Sequence, residues 1–293
     1  PPPPYLHAHD GTRDLDSSLV GSEMCIRDSF YTEASINLAD DEALTKAIVA
    51  AGFNTVFIGI ETPEEAGLAE CNKRQNQGRD LVADVKRLQR AGLQVQGGFI
   101  VGFDSDTLGI FHRQVEFIQN SGIVTAMVGM LNALPDTRLH ARLKREGRLL
   151  GSSSGNNVDG TTNFLPTMSM EALRDGYRRL MHTIYSPGPY YQRVRTFLRE
   201  FHPPEAPFHL RPQALAAFAR SAVRLGIFGR ERFHYWRLIA WAFFKRPVVL
   251  QTAVTLAIYG HHFRRCTKAL GRGSAASETK APWLASRPAS RPG

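Results

Sequence analysis

Between Asp40 and Gly147 one pattern of apolar and polar positions recurs. DDEALTKAIVAAG places Leu44, Ala47, Ile48 and Ala51 on one helical face and stops at Gly52. RDLVADVKRLQRAG repeats this with Leu81, Val85 and Leu88 and ends at Gly92. TLGIFHRQVEFIQNSG does so again with Leu108, Phe111, Val115 and Ile118, ending at Gly122. Each glycine stands where a helix can end left-handed without a Cβ clash. An apolar run follows each one: FNTVFIGI, LQVQGGFIVGF and IVTAMVGML, with FYTEASINL as an earlier strand. These runs lack clean alternation, which suits strands buried on both faces of a parallel sheet. Strand–helix units in series predict an α/β fold, either a doubly wound sheet or a barrel.

The pattern then changes. GSSSGNNVDGTTNF, Gly151 to Phe164, is small and polar and predicts a linker. Helices follow it. SMEALRDGYRRLMHTIYS is capped by Ser169 and repeats Leu173, Tyr177, Leu180 and Ile184, with SPGPYY breaking it. RPQALAAFARSAVRLG, ERFHYWRLIAWAFFKRP and PVVLQTAVTLAIYGHHFRR complete an all-α region over 165–265. The tail from Cys266 to Gly293 is expected to be disordered.

Charge sharpens this division. Residues 1–140 hold 11 Lys and Arg against 19 Asp and Glu, and residues 141–293 hold 25 against 8. The first half is therefore −8 and the second +17, which sum to the chain's +9. A basic half can meet an anionic surface or simply cover an acidic neighbour. Its arginines are dispersed and no nucleic-acid motif accompanies them, so a nucleic-acid partner is not expected. Trp236, Trp241, Phe243 and Phe244 beside Arg237, Lys245 and Arg246 admit a membrane-surface reading. The preferred reading places these aromatics in a bundle core. Cys25, Cys71 and Cys266 lie far apart and form neither a disulfide framework nor a CxxC site. A reducing cytoplasm is the expected compartment, with contact at the inner-membrane surface as the variant of it.

In either α/β architecture, ligands gather at the carboxyl ends of the strands. The residues there are Glu33 and Ser35, Glu61 and Thr62, Asp104, Ser105 and Asp106, and Asn132. GGFIVGFDSD is neither GxxxxGK[ST] nor GxGxxG, so it is not a nucleotide-phosphate loop. Its glycines instead permit close approach by a flat ligand or another backbone.

IGIET, GGFIVGFDSD and MLNALPDTRL resemble the later strands of radical S-adenosylmethionine enzymes, in the subgroup with a cobalamin-binding domain and a C-terminal helical extension. Some members of that subgroup act on hopanoid lipids. The resemblance covers Phe30 to Arg265 and implies the C-terminal part of a (βα) partial barrel over 30–150 followed by an all-α extension. It implies that Glu61 and Thr62 lie near the ribose of S-adenosylmethionine, and that Gly98, Ile100 and Gly102 line its adenine. Ser105 stands where the family has an acid, flanked by Asp104 and Asp106. The parent would also use a 4Fe-4S cluster and cobalamin, but the CxxxCxxC triplet that holds the cluster is absent from these 293 residues. No metal ligand or catalytic residue is therefore assigned. The expectation is an inactive fragment of an enzyme that generates a 5′-deoxyadenosyl radical and transfers a methyl group to a small-molecule or lipid-like substrate. The alternative is a non-catalytic degenerate barrel used for binding or scaffolding.

LVGSEMCIRDS, Leu19 to Ser29, has no helical or strand period and resembles the translation of a transposase sequencing adaptor. Residues 1–29 are accordingly expected to be a disordered artefact, with the natural chain entering at Phe30.

Overall fold

The computed structural model of this chain describes residues 30–152, 160–203 and 212–277. The adaptor-like opening and the last sixteen residues lie outside the described residues, so neither expectation is met by a structure here. The first half alternates as its pattern predicts: β1 (Phe30–Ala34), α1 (Glu42–Ala50), β2 (Phe53–Glu61), α2 (Glu65–Glu70), α3 (Leu81–Arg90), β3 (Gln94–Val101), α4 (Ile110–Ser121) and β4 (Ala126–Met130). Asp41 and Asp80 start α1 and α3 by accepting the N–H groups of Leu44 and Ala83 at 2.8 and 3.0 Å. Gly122 ends α4 at φ 74°, and a Cβ there would lie 3.0 Å from the Phe197 backbone nitrogen. Glycine is thus required both by the turn and by the helix packed against it.

The four strands are all parallel and run in sequential order, β1-β2-β3-β4. The fold is α/β, in the form of a barrel segment: a doubly wound sheet would reverse its strand order and carry helices on both faces. Here Val56, Ile58, Ile60, Val95, Phe99 and Val101 are buried under the helices, while the residues between them are only partly covered. This corrects the expectation of strands buried on both faces. The runs fail to alternate because Phe57 and Ile100 stand on the uncovered face among glycines, not because helices cover it. Helix α1 also departs from its pattern. Leu44 is 49% exposed and Thr45 is the buried residue, because α1 flanks the edge strand and has no neighbour beyond it.

The second half comprises α5 (Arg138–Arg145), α6 (Met170–Tyr185), α7 (Pro187–Glu200), α8 (Pro212–Ser221), a π-helical turn (Ala222–Ile227), α9 (Arg232–Lys245) and α10 (Leu250–Ser277). SPGPYY is more than a breaker. Ser186 closes α6 and opens α7, whose Pro187 sits at a first position where no N–H is needed. Helix α10 continues to Ser277, past Cys266 where disorder was expected, since the Ala, Lys and Leu residues that follow propagate a helix already begun. The end of the expected linker is also ordered. Phe164 is buried and bridges Leu149, and Asn163 exchanges hydrogen bonds with Ala133 at 2.8 and 2.9 Å. The α9 aromatics divide, with Tyr235 in the core and Trp241 packed against it while others face solvent. Tyr235, Leu238 and Ile239 are buried, but Phe243 and Phe244 are 58% and 78% exposed.

The sheet and the helical extension share one continuous apolar core, from Val56 and Val95 through Tyr177 and Leu180 to Leu256. The join has polar pins as well. Tyr185 donates to the Ala126 carbonyl at 2.7 Å and Tyr177 to the Val128 carbonyl at 3.1 Å, so α6 satisfies the outer edge of β4. Arg193 of α7 is fully buried. It donates to Gln119 Oε1 at 2.6 Å and to the carbonyls of Ile184 and Val124 at 2.8 and 3.2 Å, with the Tyr185 and Tyr190 rings beside it.

Candidate functional site

The uncovered sheet face is paved with small residues where the strands meet. Gly59 of β2 pairs with Gly98 of β3, and Ile100 pairs with Gly129 of β4. A Cβ on Gly98 would lie 2.7 Å from Phe57 Cζ, and one on Gly59 2.5 Å from Glu61 Oε1 and 2.8 Å from Lys73 Nζ. The two glycines put no side chain of their own on this face; the Phe57 ring overlies Gly98, and Glu61 and Lys73 lean over Gly59 from the strand end.

Glu61 reaches this position through an irregular backbone. The β2–β3 register shifts between Gly59 and Glu61, and Glu61 adopts φ 67°. The Thr62 N–H then donates to the Ile60 carbonyl at 2.9 Å, closing a γ-turn centred on Glu61. A carboxylate-bearing residue in the left-handed region is strained by about 1–3 kcal/mol and persists only where its surroundings hold it. They do so on three sides. Asn76 donates to the Gly59 and Ile60 carbonyls at 3.1 Å each, Gln114 donates to the Ile100 carbonyl at 2.7 Å and reaches the Glu61 carbonyl at 3.5 Å, and Thr62 is fully enclosed. The result turns the carboxylate back over Gly59, where Lys73 pairs with it at 2.8 Å. Cys71 closes α2 beside this pair, and burial, then the Glu61 charge, pushes its thiol up. It is not an activated nucleophile.

The other strand ends serve different purposes. Thr62, expected near the ligand, faces inward; its hydroxyl accepts the Glu64 N–H at 3.3 Å and supports the turn from behind. Asp104 is held by Arg148 at 2.6 and 3.1 Å, by Arg142 at 2.8 Å and by the Thr167 hydroxyl at 2.8 Å. The Arg148 guanidinium draws its carboxyl down to about 2. It fastens the segments on either side of the linker rather than facing the open sheet. Asp106 accepts the N–H groups of Gly102 and Phe103 at 2.8 and 3.1 Å and so shapes the turn after β3, where Gly102 lies at φ 102°. Burial pushes the Asp106 carboxyl up to about 6. Asn132 donates to the Met130 and Thr161 carbonyls at 3.2 and 3.0 Å, tying β4 to the far side of the linker. Ser35 donates to Asn37 at 3.3 Å before a short 3-10 turn. Glu33 is exposed on the same face as Phe57, its register partner, four residues before Glu61 and so roughly 13 Å along the strand.

The four strand ends thus do not converge on one point. Gly98 and Ile100 share the open face with Glu61, Glu33 stands at its far end, and the rest hold the scaffold. Sequence reasoning missed Lys73, Asn76 and Gln114, which come from a loop and a helix interior. It also missed Glu70 of α2, which accepts the N–H and hydroxyl of Ser105 at 3.2 Å each and so stands a carboxylate beside that serine. Among the described residues no three His, Cys, Asp or Glu side chains are grouped to hold a metal ion.

A sequence family described as a domain of unknown function (DUF4070) matches residues 137–276, the helical extension and the segment leading into it. An uncharacterized methyltransferase of Synechocystis sp. is 38% identical over 239 residues, covering 80% of this chain and 44% of the relative. The hopanoid C-2 methylase of Rhodopseudomonas palustris is 26% identical over 252 residues, covering 83% of this chain and 46% of that protein. The bacteriochlorophyllide d C-8(2)-methyltransferase of Chlorobaculum tepidum is 26% identical over 120 residues, 41% of this chain and 27% of its own length. The chain spans less than half the length of these curated relatives.

Proposed function

We propose, for a chain related in sequence and fold to the radical S-adenosylmethionine enzymes of the cobalamin type, that the open face of its sheet is one wall of an S-adenosylmethionine site within a larger methyltransferase. The observation that carries this reading is the Gly59–Gly98 pair, which puts no side chain of its own on the open face, with Glu61 folded over Gly59. Glycine backbone lets a planar base approach the strands closely once the Phe57 ring turns off Gly98, and a carboxylate can accept ribose hydroxyls. Lys73 donates to one oxygen of the Glu61 carboxylate and orients it, leaving the second oxygen to the ligand. The strained turn supports the same reading, since strain of this kind collects at ligand sites.

The reaction of the whole protein is read as methyl transfer to a carbon of a lipid-like small molecule, by analogy with the relatives. An iron–sulfur cluster does not fit these residues. Cys71 and Cys266 are isolated from other cysteines, Cys25 lies outside the described residues, and three thiolates at one site are required. The chemistry that cleaves the sulfonium therefore has no ligands on this chain, and no cobalamin contact is assigned to it. That same absence of a cysteine triplet favours, as a second reading, a barrel segment that binds its ligand without reacting it.

Titration calorimetry with S-adenosylmethionine tests the site. Glu61→Gln removes a charge-assisted acceptor pair and should weaken binding about tenfold or more. Gly98→Val should abolish binding, with circular dichroism reporting an intact fold. Equal affinity in both variants, or no binding by the parent chain, refutes the proposal.

A further inference from the structure

Helix α9 is apolar on two faces. One is seated on the core through Tyr235, Leu238 and Ile239. The other carries Phe233, Trp236, Phe243 and Phe244, which recur at helical spacing and are 74%, 44%, 58% and 78% exposed. The turn before α9 is tied to this second face by the Trp236 indole N–H, which donates to the Gly226 carbonyl at 3.0 Å, and the next two residues, Ile227 and Phe228, are exposed as well. Phe228 is 81% exposed. An apolar patch of this extent is normally covered by something.

Charge identifies the cover. Between residues 215 and 267 the chain has nine Lys and Arg and one acid, Glu231. Glu231 is buried and held by Arg264 at 2.6 Å and His261 at 3.2 Å, so it offers no negative charge at the surface. Arg230, Arg232, Arg237 and Lys245 are exposed around the aromatic stripe, and Arg232 stacks over the Phe233 ring at 5.0 Å. A second copy of the chain would set these cations against their own kind. No helix among the described residues is long and apolar enough to cross a membrane.

We infer that this face docks on an anionic lipid bilayer, with the aromatics at the level of the acyl–headgroup boundary and the flanking arginines on lipid phosphates. Helix α9 lies in the interface plane and the core remains in water. The inference is independent of the ligand site on the sheet, which belongs to the other half of the chain.

Vesicle flotation of the full chain, synthesised in a cell-free reaction, tests it. Phosphatidylcholine vesicles containing phosphatidylglycerol should carry the chain upward, and pure phosphatidylcholine vesicles should not. Phe243→Ser with Phe244→Ser should lower the bound fraction about tenfold, and Arg232→Glu with Arg237→Glu should do the same. These side chains are exposed, so far-ultraviolet circular dichroism should be unchanged. High salt should release the wild type by screening the phosphate contacts. Failure to float with the anionic vesicles overturns the inference. So does equal flotation of the phenylalanine variant, or a lipid-free dimer that this variant dissolves, which would assign the face to a second copy.

Discussion

Replacing Arg193 by methionine should loosen the joint between sheet and helical extension more than any surface change. The guanidinium is fully buried with no carboxylate partner among the described residues; its charge rests on three oxygen acceptors and two tyrosine rings. Burial accordingly lowers its pKa from the ordinary arginine range. Methionine keeps most of the stem but leaves the Ile184 and Val124 carbonyls and Gln119 Oε1 without these donors. Each stranded buried acceptor costs about 1–3 kcal/mol. Removal of the buried charge returns part of its desolvation penalty. The balance is a loss of about 3 kcal/mol, a large share of the stability of a typical domain. For a chain of this size that is a fall in Tm of roughly 6–12 °C. Arg193→Lys should fare little better, because one ammonium cannot span acceptors on α4, α6 and the approach to β4. Urea unfolding followed by tryptophan emission measures the loss. A change below about 1 kcal/mol in Arg193→Met would refute the view that this side chain locks the two halves together.

Two carboxyls should give opposite pH signatures. Asp104 titrates low when folded, so its contribution is present at neutral pH and fades as pH falls from about 4 towards 2. Asp104→Asn should remove that acid-side slope and cost about 1 kcal/mol at neutral pH, the ion pairs being partly open to solvent; urea midpoints across this range report it. Asp106 titrates high, near 6, so the folded chain binds the extra proton and stability falls as pH rises from about 4 to 6. Asp106→Asn should abolish this decline, and persistence of the slope in the variant would assign it to another group.

Much of the first half was legible because its constraints are local. The three glycine stops and the strands that follow them come from backbone sterics and from apolar periodicity, and both act within a few residues. Glu61 was legible as a strand-end carboxylate, and Gly98 and Ile100 as residues of the glycine-flanked strand beside it. Which strand face stayed bare was not legible. Non-alternating runs mean burial on both faces in one sheet and a glycine-paved wall in another, and only the placement of the helices separates the two.

The sequence by itself determined the α/β alternation, the all-α extension and the separation of charge between them, since pattern and composition are properties of the chain alone. Tertiary structure decided the rest. It turned Glu61 over Gly59 by a bulge and a strained γ-turn that no spacing encodes, and it brought Lys73 and Asn76 from a loop to hold that turn. It also drew Asp104 away to Arg148 and Arg142, and left four of the six Phe, Trp and Tyr residues of α9 in solvent. Each of these depends on which distant groups share a low-dielectric space, and that is settled only when the sheet and its helices pack against one another.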